Sequence, residues 1–89
     1  MQDILTCAMG LDVHRDIIVA CLVKGAVDAE PEAETRTFST LIPEMQKLRE
    51  WVIEAECRNV AMESTGIYWQ PIYEMLESCF DGEISILVV

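Results

Sequence analysis

The sequence predicts an α/β domain built on one mixed β-sheet, with its elements in the order β-β-β-α-β-α-β. Three observations carry this. Short apolar runs at residues 6–11, 17–23, 59–62 and 84–89 have strand length and are too short for helices. Two longer segments repeat their apolar residues in steps of three and four, the period of a helix with one buried stripe. Two of the apolar runs end in a carboxylate, Asp12 and Glu63, as strands do where a sheet presents reactive groups at its edge.

The first strand, residues 6–11, is apolar on both alternations, the pattern of a central strand covered on both faces. Gly10 within it permits a close approach from above the sheet. Residues 13–16 form a polar turn, and 17–23 give a second strand, so the short spacer predicts a hairpin. Residues 24–34 break the pattern with Gly25, Pro31 and alternating acids (Asp28, Glu30, Glu32, Glu34), which read as a solvated hairpin loop. Residues 35–38 form a short third strand at an edge. Ser39 or Thr40 caps the first helix, with Pro43 in its first turn, where a missing N–H costs little. Leu41, Met45, Leu48, Val52 and Ala55 make its stripe, Trp51 packs beside it, and the helix ends near Cys57 and Arg58.

Residues 59–62 are the fourth strand, with Glu63 at its tip. Ser64 and Thr65 read as caps and Gly66 as the turn residue. The second helix starts between Gly66 and Pro71 and runs to about Phe80, with Trp69, Ile72, Leu76 and Cys79 on one face. Asp81-Gly82 closes it with Gly in the left-handed position. Residues 84–89 are the fifth strand. A strand running to the last residue predicts a partial domain.

Composition narrows the function. The chain has 89 residues, room for one small domain, and 52% are hydrophobic, which excludes disorder. Sixteen acidic residues against six basic ones give a net charge of -10. A domain of that charge is repelled by nucleic-acid phosphates, so this acidic chain alone is a poor candidate for tight DNA or RNA binding. It suits metal cations, or a parent whose basic parts lie elsewhere. Met1-Gln2-Asp3 has no basic leader character, and no apolar run has membrane-spanning length. Cys7, Cys21, Cys57 and Cys79 contain no C-x-x-C pair and read as reduced thiols of a cytoplasmic protein, mostly packed as small hydrophobes, with zinc binding or disulfides as the alternatives.

Three hairpin-linked strands form an antiparallel meander, and the β-α-β units that follow add parallel strands through right-handed crossovers. That is the mixed sheet of the ribonuclease H-like fold. In it strands one and four are neighbours, and Asp12 and Glu63 emerge at the same end. Two such carboxylates repel unless they share a proton or a cation. Mg²⁺ or Mn²⁺ suits them, because hard ions prefer oxygen ligands, and a pair of such ions can cleave a phosphodiester. No third acid sits at a later strand or helix end.

Gly10-Leu11-Asp12-Val13-His14-Arg15, with Asp16 next, and Val60-Ala61-Met62-Glu63-Ser64-Thr65-Gly66-Ile67-Tyr68-Trp69-Gln70-Pro71 resemble the two N-terminal signatures of the DEDD transposases. That family has an N-terminal RuvC-like catalytic domain and a C-terminal serine-bearing domain, and it includes bridge-RNA-guided recombinases. The resemblance covers essentially the whole chain. It implies that residues 1–89 are the N-terminal portion of a single RuvC-like DEDD transposase catalytic domain. It implies that Asp12 and Glu63 are catalytic metal ligands for Mg²⁺ or Mn²⁺. The parent would then cleave and rejoin DNA during transposition of an insertion sequence, with DNA and, in the guided members, a guide RNA as partners. The family's third and fourth acids and its serine lie beyond Val89, so the polypeptide alone is expected to be inactive.

Other residues have weaker signals. His14 is expected as a hydrogen-bonding partner of the acid beside it, with contact to a phosphate or metal as the functional alternative. Arg15 reads as a solvated base that could meet a phosphate, and Tyr68 could stack on a base. Ser64 is no nucleophile elbow, since Met62 stands where G-x-S-x-G needs glycine. Two further functions stand beside transposition. One is a catalytically silent assembly module that dimerises through the last strand or helix faces. The other is an actin-like ATP-binding half-domain, although Val13-His14-Arg15 lacks the Gly and Ser or Thr that such a phosphate loop uses.

Overall fold

A computed structural model describes residues 5–26 and 30–89, with side chains for 7–25 and 30–89. The elements are β1 (Leu5–Val13), β2 (Ile17–Ala26), β3 (Glu32–Ser39), α1 (Ile42–Glu54), β4 (Asn59–Ser64), α2 (Gln70–Leu76), a 3₁₀ turn (Cys79–Gly82) and β5 (Ser85–Val88). They form a five-stranded sheet in the order β3-β2-β1-β4-β5. The pairs β1–β2 and β2–β3 are antiparallel, and β1–β4 and β4–β5 are parallel. The small α/β domain, the mixed sheet and the central position of β1 beside β4 agree with the sequence reading.

The pleat sorts the side chains. Met9, Leu11 and Val13 of β1, Ile18, Ala20 and Leu22 of β2, and Val60 and Met62 of β4 are buried in one cluster with Leu48, Trp51 and Val52 of α1 and Ile72 and Leu76 of α2. Each strand contributes alternate residues, so both helices cover one face. The other alternation is open: Ala8, Gly10, Asp12, Val23, Ala61, Glu63 and Leu87 are exposed, and Val19 and Cys21 are half-buried. A β1 apolar on both alternations therefore does not have two covered faces among the described residues. The outward side chains are simply small.

Trp51 is core. Its ring lies 6.0 Å from Phe38, and the Arg36 guanidinium sits 4.2 Å above it. This cation–π contact holds β3 against α1. β3 is longer than predicted and takes in Glu32 and Glu34, which pair in register with Lys24 and Leu22 of β2. Asp28 lies outside the described residues.

The helix ends also differ from expectation. Leu41 is the N-cap residue of α1, with no side-chain cap. Ser39 Oγ instead accepts from the Leu41 N–H at 3.3 Å, and Thr40 Oγ1 donates to the Arg15 carbonyl at 2.9 Å. Ser64 and Thr65 do not cap α2, which begins at Gln70 after Trp69. The Thr65 N–H is taken by the Val13 carbonyl at 3.1 Å. Gly66 does have positive φ (60°), as the turn requires. α2 ends early at Leu76, and Phe80, Asp81 and Gly82 all adopt positive φ in the turn into β5.

Candidate functional site

Asp12 is the penultimate residue of β1 and Glu63 of β4. Both lie inside their strands rather than past the tips, and they are direct partners across the parallel β1–β4 pair. Adjacent strands are about 4.8 Å apart. Because Leu11, Val13 and Met62 point into the core, alternation turns both carboxylates onto the open face. They stand at one end of a shallow hollow of about 410 Å³ floored by Gly10, Cys21 and Ala61 and flanked by Val19 and Val89. Of that floor the sequence reading singled out only Gly10 and missed Cys21 and Ala61. Counting every second residue outward from Asp12 and Glu63 would have found it.

His14 joins the pair. Its Nε2 lies 3.2 Å from Asp12 Oδ1, with both side chains about half exposed. The β1–β2 turn that places it is closed by the His14 N–H donating to the Ile17 carbonyl at 2.9 Å. Arg15 and Tyr68 belong elsewhere. They line a separate hollow of about 310 Å³ with Thr40, Gln70 and the apolar Met45 and Ile72. Arg15 is exposed and paired with Asp16 at 3.1 Å. That carboxylate, with Tyr68 adding to it, holds the guanidinium pKa above its usual value.

Chemically, the site is two adjacent carboxylates on a rigid floor with one imidazole beside them. Hard oxygen donors in that pairing fit a divalent cation that keeps most of its water. Among the described residues no group of three or more His, Cys, Asp and Glu forms a ready metal cage. No helix among the described residues is long and apolar enough to cross a membrane.

No protein-family model and no curated protein matches the sequence. Solved structures do match in fold. One is a Ppx/GppA enzyme of Aquifex aeolicus, with TM-score 0.56, 8% identity, 97% of this chain and 36% of that chain. A second structure of the A. aeolicus family member gives 0.58, 8%, 97% and 35%. The type II variant of the A. aeolicus Ppx/GppA phosphatase gives 0.53, 7%, 94% and 35%. The chain spans about a third of the length of these proteins.

At such identities the likeness is one of fold, and it corrects the family reading. The solved structures named above are Ppx/GppA proteins and not transposases, so the assignment to a RuvC-like DEDD transposase, and with it DNA transposition and recombination, is overturned. The physical reason lies in the motifs. An apolar strand that ends in an acid, once in β1 and again in β4, is what this topology offers any chemistry placed at the joint of its two central parallel strands. The motifs reported the sheet, and the transposase chemistry was carried in with them.

Proposed function

We propose that this chain is part of an actin-like domain that handles phosphoryl groups, with Asp12 and Glu63 holding a divalent cation, Mg²⁺ or Mn²⁺, at its centre. The observation that carries this reading is the register of Asp12 against Glu63 on the two central parallel strands. The fold shared with Ppx/GppA phosphatases supports the class, and the net charge of -10 supports cation binding over direct phosphate binding.

When bound, the cation would neutralise phosphate oxygens and polarise the phosphorus they surround. The chain's own work is simpler. The two carboxylates bind, and His14 orients Asp12 and can hold a proton beside it. The turn after Asp12 has no glycine or hydroxyl residue to cradle phosphate with backbone N–H groups, so the phosphate is held through the cation. Water can fill the positions of the coordination shell that the two carboxylates leave open.

The test is a Mn²⁺ titration followed by amide NMR, in which paramagnetic broadening is expected first around Asp12 and Glu63 at roughly millimolar metal, as for a site with few protein ligands. The same broadening pattern in Asp12→Ala would sink the assignment. A thermal shift by ATP or inorganic polyphosphate that requires Mg²⁺ would extend it to substrate.

A second reading has its own observation. β5 ends the sheet with Leu87 62% and Val89 75% exposed, and an uncovered apolar edge pairs readily with another chain. Self-association through that edge is compatible with either role, and it alone would remain if metal binding failed.

A further inference from the structure

We propose that Cys7 and Cys57 form a thiol pair that oxidises to an intramolecular disulfide, a modification site at the opposite end of β1 from the carboxylates. The residues are far apart in sequence, yet their sulfurs share one small neighbourhood. Cys7 Sγ lies 3.8 Å from the Ala55 carbonyl oxygen, and Cys57 Sγ donates to the Asn59 carbonyl at 3.3 Å. Asn59 Nδ2 donates to the Cys7 carbonyl at 3.4 Å, tying the two backbones together. The two thiols are near enough that each acts on the other's ionisation. The β1–β4 pair begins at Met9 opposite Val60, two residues past Cys7 and three past Cys57, so the two segments enter it side by side.

The other two cysteines are internal controls. Cys21 lies on the open face of the sheet, and Cys79 is buried at the 3₁₀ turn after α2. Cys7 is half-buried and Cys57 fully buried, so an oxidant reaches Cys7 first. With hydrogen peroxide, the Cys7 thiolate sulfur attacks one oxygen and the O–O bond breaks. The products are a sulfenic acid at Cys7 and one water. The Cys57 thiol then gives its proton to the departing hydroxide while its sulfur bonds to Cys7, releasing the second water. Two thiols and one peroxide thus become one disulfide and two waters. Burial pushes the Cys57 thiol up to about 11, so the second step should quicken as pH rises toward that value.

The experiment treats the reduced chain with hydrogen peroxide, alkylates it under denaturing conditions and maps the peptides without reductant. Cys21 and Cys79 should be alkylated, and Cys7 and Cys57 should be recovered in one cross-linked peptide. The melting temperature should rise by about 10 °C, since the bond closes a long loop, and dithiothreitol should return it. In Cys57→Ser, Cys7 should stop at a sulfenic acid that dimedone traps, with no rise in melting temperature. If Cys57→Ser does not fold, Cys7→Ser should instead leave Cys57 unoxidised. A cross-link to Cys21 or Cys79, a disulfide between two chains, or sulfinic acid at Cys7 in the unmutated chain would each overturn the proposal. Cation binding at Asp12 and Glu63 has no part in this test, so the two readings stand or fall separately.

Discussion

Asp12 and Glu63 face each other from neighbouring strands, and like charges directly opposite in a sheet destabilise it by a few tenths to about 1 kcal/mol. Replacing one of them, as in Glu63→Gln, should therefore stabilise the metal-free domain by about 0.5 kcal/mol. The shift in urea midpoint should shrink at high salt, and Mg²⁺ should stabilise the unmutated chain while leaving Glu63→Gln nearly unchanged. A second residue-scale prediction concerns pH. Burial raises the Cys57 thiol from 9.0 to about 11 in the folded chain. Unfolded chains release that proton near 9 while the folded one keeps it, so the thiol's contribution is complete below about 9 and is lost as pH climbs to about 11. Over that range stability should fall by about 2 kcal/mol, and Cys57→Ala should flatten the slope. Both acids were legible in the sequence because a charge that ends an apolar run has few structural uses. Their chemistry was not legible, since the same pattern serves any reaction that this strand pair hosts.

The end of α1 shows how an element closes when its sequence lacks the usual residue. The Glu56 N–H donates to the Ile53 carbonyl at 3.0 Å and the Cys57 N–H to the Val52 carbonyl at 3.1 Å, which is the Schellman arrangement. Its left-handed position is filled by Glu56 at φ 53° where glycine is favoured. Glu56→Gly should therefore raise stability by about 1 kcal/mol, measured by urea unfolding, with no effect on metal binding. Conversely Leu48→Ala, at a fully buried position of α1, should cost about 3 kcal/mol. Without a glycine to mark it, this helix end was placed too late from sequence. Ser64 and Thr65 were misread for a related reason. They have the chemistry of caps, but the chain spends Gly66 to Trp69 turning before α2 starts, and Thr65 is committed to Val13 across the sheet. β3 was read too short because Glu32 and Glu34 are poor strand formers alone. Pairing with β2 along its whole length outweighs that preference.

For the molecule as a whole, strand order was the most legible feature, because hairpin spacing and right-handed crossovers leave few alternatives. Which faces the helices cover was less so, since a strand of small residues looks the same whether or not anything lies on it. With a net charge of -10, two copies repel at low ionic strength, and an apolar edge at β5 attracts once that repulsion is screened. Self-association should therefore increase between low salt and about 0.5 M salt in sedimentation velocity, and Leu87→Lys should abolish the increase. Weakening of the association by salt would point to charged contacts instead.

The one-sided covering of the sheet also predicts how freely the chain can change over generations. Along β1, a polar replacement at Met9, Leu11 or Val13 enters the core, while one at Ala8 or Gly10 meets water. A saturation mutagenesis read for folding alone should thus show tolerance alternating residue by residue along β1. A read for cation binding should erase that alternation wherever the open face is needed.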